Sequence, residues 1–221
     1  GNVGYTLTSG ANVTGSVACT AGAFVVSALD VSTLNDGTVT FALTQGAGNF
    51  SGWVHRFYRV RKFGGLVGAT SGSMGYGLPA ALAMQTIHPG RTVVCVAGDG
   101  DFLMTGQDFA TAVQYKLPVI VLVADNGIYG TIRMHQEREY PGRVVATDLR
   151  NPDFVAYALA FGGYGTVVEK SADFPAAFAA ARASGKPSII HLRIDPEAIT
   201  PATTLSAIRE KSLTAGGGKR S

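Results

Sequence analysis

Thr92-Val93-Val94-Cys95-Val96-Ala97-Gly98-Asp99-Gly100-Asp101-Phe102 is the stretch on which the fold turns. It begins as a run of strand length and ends in an aspartate bracketed by glycines. A second apolar run, Val119–Ala124, ends in Asp125-Asn126-Gly127. Neither run alternates apolar with polar residues. Unbroken apolar strands are expected where both faces of a parallel sheet are covered. Asp99 and Asn126 therefore each stand just past the C-terminal end of a strand. In an open parallel sheet those ends line the ligand crevice.

Working outward, short β-rich runs alternate with alanine-rich stretches of helical period. Strands are expected at 39–44, 92–97, 119–124, 165–169 and 188–194. Helices are expected at 75–87, 105–116, 152–161, 173–184 and 204–213. This alternation specifies an α/β fold, a doubly wound and mostly parallel sheet with helices on both faces. Right-handed crossovers follow. Residues 213–221 are Gly-rich and basic and read as a flexible tail.

Residues 1–45 have a different texture. Thr, Ser, Val, Gly and Ala dominate, with almost no charge. Gly22–Ser27 and Thr38–Leu43 alternate, and Asn35-Asp36-Gly37 supplies a turn between extended runs. Val39–Thr44 could close this β-rich segment or open the α/β sheet. The expected division is a β-rich segment at 1–45, an α/β domain at 46–212 and the tail.

Composition narrows the function. The chain has 221 residues, a net charge of +3 and 46% hydrophobic residues. The charges are scattered, with no basic stripe, so nucleic acid is not an expected partner. The longest apolar runs are far too short to span a bilayer, and no membrane partner is expected. Cys19 and Cys95 form neither a disulfide framework nor a metal-ligand spacing, which suits a reducing, cytoplasmic setting. The chain opens Gly1-Asn2-Val3 without an initiator Met and with no basic-then-apolar leader, so a longer parent is expected.

The chemistry gathers at the two strand ends. Oxygen-bearing side chains on neighbouring strand tips can share one hard cation. Mg²⁺ suits them, with diphosphate oxygens and water completing an octahedral shell. Glycines beside Asp99 let backbone N–H groups approach phosphate. A bare Gly-Asp-Gly is also an ordinary strand-to-helix turn, and Asp99 or Asp101 could simply cap a helix. The pairing with Asn126-Gly127 at the next strand end gives the motif its specificity.

Strand, Gly-Asp-Gly, helix, strand and Asn-Gly in this order resemble the thiamine diphosphate (ThDP) fingerprint of the pyruvate decarboxylase and acetolactate synthase superfamily. The resemblance covers roughly Gly46 to Arg209. It extends to Thr70–Ala81, which looks like the family's pyrimidine-contacting turn and helix, to Thr105-Gly106-Gln107, and to Tyr129–Gln136. One position departs: the family usually has Asn-Asn where this chain has Asp125-Asn126, so an extra carboxylate stands beside the metal position.

The resemblance implies roles residue by residue. Asp99, the Asn126 side chain and the Ile128 carbonyl would hold Mg²⁺. Gly100 and Asp101 would hold the diphosphate through their N–H groups, with Gly98 and Tyr129 completing the cofactor site. Met74, flanked by Gly72-Ser73 and Gly75, would be the apolar wedge that bends ThDP, and the Gly72 carbonyl would accept a hydrogen bond from its aminopyrimidine. Gly72 and Met74 are thus the candidate catalytic positions. His55 and His135 are expected at the active-site mouth or on the surface, and His88 and His191 as structural residues.

The implied activity is that of an acetolactate synthase. A 2-oxo acid such as pyruvate loses CO₂ and its two-carbon unit passes to a second 2-oxo acid, in the service of branched-chain amino acid synthesis. The family's essential glutamate belongs to a separate pyrimidine-binding domain, contributed across a dimer interface. The implied partners are therefore that domain and a homodimer or homotetramer. FAD occurs in full-length members, and nothing in this sequence indicates it. Two other readings stand beside this one. One is a ThDP-dependent decarboxylase for another substrate, of the oxalyl-CoA, benzoylformate or glyoxylate type. The other is a cell-surface fragment, since 1–45 resemble part of a bacterial Ig-like repeat through Cys19–Phe24, Asp30–Val39 and Gly48-Asn49.

Overall fold

The structure is a computed structural model and describes residues 2–9, 11–18, 41–60 and 65–215. Strands β1 (Asn2–Ser9) and β2 (Ala11–Ala18) form an antiparallel pair, in register from Asn2↔Ala18 to Ser9↔Ala11. The alternating run Gly22–Ser27, the turn at Asn35-Asp36-Gly37 and the Ig-like motifs between Cys19 and Val39 lie outside the described residues, as does the tail beyond Ala215.

The rest is α/β. In chain order it comprises β3 (Phe41–Gln45), α1 (Ser51–Phe57), β4 (Leu66–Gly68), α2 (Gly77–Ile87), β5 (Thr92–Gly98) and α3 (Asp99–Phe102), followed by α4 (Phe109–Gln114), β6 (Ile120–Asp125), α5 (Gly130–Glu139), α6 (Phe154–Ala160), β7 (Tyr164–Val168), α7 (Phe174–Ala183), β8 (Ser188–Arg193) and α8 (Leu205–Thr214). Six strands form one sheet in the order β4-β3-β5-β6-β8-β7, and every neighbouring pair is parallel.

Phe41–Gln45 pairs with β4 on one side and β5 on the other. The strand that could have closed the N-terminal segment therefore belongs to the α/β sheet. From β3 the chain moves outward to β4, then returns to the other side of β3 to form β5. Two loops consequently diverge at the C-terminal ends of β3 and β5, which is the arrangement that opens a crevice at the reversal point of a parallel sheet.

Alternate strand residues serve opposite helix layers. Val93, Cys95 and Ala97 of β5, with Val121 and Val123 of β6, pack against Leu78 and Ala81 of α2, Phe109 of α4 and Phe154 of α6. Ile120 of β6 and Ile190 of β8 face the other way, onto Ala181, Phe174 and Phe178 of α7. That two-sided burial is why the strands read as continuous apolar runs.

Local chemistry sets the helix boundaries. Asp153 caps α6 by accepting from the N–H groups of Val155 (2.9 Å) and Ala156 (3.0 Å). Thr204 caps α8 through the Ala207 N–H at 3.1 Å. The helix expected at 105–116 is shorter, a 3₁₀ turn at Gly106–Asp108 leading into α4. Helix α8 continues to Thr214, two residues into the stretch read as a flexible tail. None of the described helices is long and apolar enough to cross a membrane.

Candidate cofactor site

A cleft of about 80 Å³ opens at the C-terminal ends of β3, β5 and β6. Asp99, Gly100 and Asp101 line it from the β5 end, and Asn126, Ile128 and Tyr129 from the β6 end. The β3–α1 loop contributes Asn49 and Phe50, and Met74 closes another side. The strand-tip residues expected to share one ligand thus face a single space.

Asp99 and the Asn126 turn are joined directly. The Gly127 N–H donates to Asp99 Oδ2 at 3.0 Å. Gly127 takes φ 69° in this tight reversal, a conformation that costs glycine little. Asn126 Oδ1 accepts from the Ile128 N–H at 3.2 Å, closing an Asx turn that sets the Ile128 backbone at the cleft wall.

Asp99 is 3% exposed, and burial pushes its carboxyl up to about 6. Bonds from Asn151 and the Gly100 N–H pull it back down, and the nearby Asp125 charge pushes it up. Among the described residues no lysine or arginine forms an ion pair with it. A buried carboxylate without a protein counter-charge suits an external cation. Asp99, the Asn126 amide and a backbone carbonyl form an all-oxygen donor set of the kind Mg²⁺ takes. The described residues contain no cluster of three or more His, Cys, Asp or Glu that would hold a metal alone. The residues therefore fit a magnesium ion completed by ligand phosphate.

Asp101 has a part that the sequence reading missed. Its carboxylate is buried and accepts from the Gly75 N–H at 2.8 Å and the Ala47 N–H at 3.2 Å. Burial pushes this carboxyl up to about 6, with those backbone bonds pulling the other way. One side chain thus ties the β5 end to the β3 loop and to the turn carrying Met74. At Gly46 a Cβ would sit 2.1 Å from the Asp101 carboxylate oxygens. Gly46→Ala should therefore displace Asp101 and cost about 1–3 kcal/mol, as other overpacked sites do. A thermal melt several degrees below wild type is the expected reading, and an unchanged melt would show that the carboxylate moves freely.

Met74 lies between two glycines at positive φ, Gly72 (67°) and Gly75 (83°). It is 37% exposed and lines the cleft, so it is not core filler. Gly75 is held by Asp101 from one side, while its carbonyl accepts the Thr105 hydroxyl at 2.7 Å. Gly72 and Ser73 are exposed beside Met74 and do not line the cleft; Ser73 shares a hydrogen bond with Ser71 at 2.8 Å. His55 and His135 are exposed, and His55 contacts the Gln45 side chain.

Two further groups serve the site, Asn151 and His191. Asn151 Nδ2 donates to both Asp99 Oδ2 and Asp125 Oδ1, each at 2.7 Å. His191 lies 2.7 Å from Asp125 Oδ2. Burial tends to raise the Asp125 carboxyl, yet the bonds from His191 and Asn151 hold it below the ordinary carboxylate value. A signal for Asn151 was present in Asn151-Pro152-Asp153: Asp153 is the helix cap, which leaves the Asn151 amide for other work. A signal for His191 was its place on a strand buried on both faces, where a polar ring needs a partner.

Fold and cleft together define a cofactor-binding domain of the parallel α/β class, with its ligand crevice at a strand reversal and an oxygen-rich pair of strand tips. Residues 46–192 match the family described as thiamine pyrophosphate enzyme, C-terminal TPP binding domain, and the chain belongs to that family. Over 154 residues it is 36% identical to the acetolactate synthase large subunit of Parasynechococcus marenigrum (strain WH8102), covering 69% of this chain and 25% of that one. Over 125 residues it is 38% identical to the acetolactate synthase isozyme 2 large subunit of Escherichia coli (strain K12), covering 56% and 23%. The solved thiamine diphosphate-dependent 4-hydroxybenzoylformate decarboxylase of Rhodococcus jostii RHA1 superposes with a TM-score of 0.66 at 31% identity, over 72% of this chain and 30% of that one. The chain thus spans about a quarter of the length of the curated relatives it matches.

Proposed function

We propose that this chain is the ThDP- and magnesium-binding module of an acetolactate synthase-like enzyme acting on 2-oxo acids. The observation that carries the reading is the Gly127 N–H bond to Asp99, which draws the Asp99 carboxylate and the Asn126 turn to one cleft. Asp99, Asn126 and the Ile128 carbonyl would hold Mg²⁺. The N–H groups of Gly100 and Asp101 would hold the diphosphate, and Met74 would support the bent cofactor from below. When bound, ThDP supplies the electron sink that lets a 2-oxo acid lose CO₂. This chain's residues bind and orient it.

A partner domain follows from the same reading. Met74, Tyr76, Leu103 and Met104 are 37%, 38%, 40% and 46% exposed. Met74 and Tyr76 flank Gly75 in sequence, and a Cβ added at Gly75 would meet Met104 at 2.8 Å. The cleft, at about 80 Å³, is far smaller than the roughly 300–1,000 Å³ of a complete cofactor pocket. Both features support a pyrimidine-binding domain that covers this face and completes the site. With ThDP, Mg²⁺ and pyruvate alone, the chain is expected to form no acetolactate above a protein-free blank. Robust product formation without a partner would refute that dependence. A second reading, a decarboxylase without group transfer, draws on the likeness to the 4-hydroxybenzoylformate decarboxylase structure.

Calorimetric titration of the chain with ThDP tests the reading. Binding is expected in the presence of Mg²⁺ and should disappear with a chelator. Equal affinity in both conditions would remove the metal, and absence of binding in both would remove the proposal.

A further inference from the structure

Asp125 stands beside the turn proposed to hold magnesium, yet its oxygens are committed elsewhere. Oδ2 meets His191 Nε2 at 2.7 Å. Oδ1 accepts from the Gly127 N–H at 3.0 Å and from Asn151 Nδ2 at 2.7 Å. The same Asn151 nitrogen reaches Asp99 Oδ2 at 2.7 Å, and the same Gly127 N–H reaches it at 3.0 Å. His191 is itself fixed. It is 3% exposed and packs edge-on to Phe154, with ring centres 5.1 Å apart at 79°. On β8 it pairs with Val123, two residues before Asp125 on β6, so its ring reaches along the strands toward their C-terminal ends.

We infer that His191 is a positioning residue which, through Asp125 and Asn151, fixes the Asp125–Ile128 turn and the Asp99 carboxylate in the geometry a magnesium diphosphate needs. The inference rests on the proposed cofactor site. Two carboxylates this close repel unless donors separate them. The Asn151 amide and the Gly127 N–H bridge the pair, and His191 takes the remaining Asp125 oxygen. Among the described residues the His191 ring is the hydrogen-bond partner of that oxygen, and its loss would leave the carboxylate free to turn toward the cleft and compete for the cation. The carboxylate at position 125, which departs from the family's usual asparagine, is in this arrangement part of a brace and not a fourth metal ligand.

The test uses the full chain with His191→Gln and the double variant Asp125→Leu/His191→Leu. Glutamine keeps a donor of similar reach. The double variant replaces the buried polar pair with apolar side chains, an exchange that folds often tolerate. Two readouts are taken: amide hydrogen exchange at Gly127 without ligand, and ThDP affinity with Mg²⁺. The double variant is expected to exchange at least about tenfold faster and to bind about tenfold more weakly, the scale on which supporting groups act on metal sites. His191→Gln is expected to stay within about threefold of wild type in both. His191→Asn, which leaves Asp125 in place but is too short to reach it, isolates the histidine and should show the same losses. Wild-type behaviour in the variants lacking the donor, or equal impairment in His191→Gln, overturns the inference. If wild type itself fails to bind ThDP, the proposed function falls, while exchange at Gly127 still decides whether His191 braces the turn.

Discussion

Replacing Asp99 with alanine should abolish magnesium-dependent ThDP binding, with affinity falling more than about a hundredfold, or about 3 kcal/mol at 1.4 kcal/mol per decade. Asp99 is buried at the cleft wall and, among the described residues, has no basic side chain in ion-pair contact, so a bound cation would be its principal counter-charge. Its loss removes an anionic ligand and leaves the Gly127 N–H and the Asn151 amide with Asp125 as their remaining acceptor. The comparison is calorimetric, wild type against Asp99→Ala, with and without a chelator. Unchanged affinity in the variant would take Asp99 out of the site. A far-UV spectrum and a melt of the variant separate loss of the ligand from loss of the fold.

The second large effect should come from Glu137, which is remote from the chemistry. Its side chain is buried on α5 and accepts from Arg209 Nε of α8 at 2.7 Å, from Arg133 Nε at 3.2 Å and from the Gly142 N–H at 3.0 Å. Arg209 is the largest cause holding this carboxyl down to about 2. Glu137→Gln leaves two guanidinium groups short of a charge and should cost about 3 kcal/mol, the lower end for breaking a buried pair. The lower end applies because the Arg209 side chain is 35% exposed and can recover water. At about 2–4 °C per kcal/mol, the melt should fall by roughly 6–12 °C. The sign with pH follows from linkage. The folded value lies below the ordinary 4.5, so the stabilisation is complete above that pH and is lost as pH falls toward about 2. Wild type should lose stability over that interval more steeply than Glu137→Gln. Parallel acid limbs in denaturant melts would show that this group does not govern it.

Most of the sheet was legible in the sequence because its strands are buried on both faces. Thr92–Gly98 and Ser188–Arg193 begin at the expected residues, and unbroken apolar runs left little freedom. Leu66–Gly68 was missed because a three-residue edge strand carries almost no pattern, and its identity comes from pairing with β3. Helix α1 was missed for a similar reason. Its seven residues show one buried side chain, Val54, and no acidic residue in the first turn to mark its start. The shared cleft position of Asp99 and Asn126 was legible because both stand at strand ends. The brace behind it was not. Asn151 and His191 reach Asp99 and Asp125 across 52 and 66 residues of sequence, and local patterning does not encode such distances. Asp101 shows a third case. Its backbone was read as a phosphate contact, while its carboxylate spans 54 residues to reach the Ala47 N–H.

The same long reach governs when a site of this kind can exist during folding. Its walls are stitched by bonds such as Asn49 to Thr131, separated by 82 residues, and each needs the sheet to be ordered first. Non-local closures of this sort come late. A nascent or half-zipped chain has no crevice to offer, so the vitamin-derived ligand cannot template assembly. It can act only afterwards, by drawing finished molecules out of the folding equilibrium, with a thermodynamic pull that grows as the logarithm of ligand concentration over its dissociation constant.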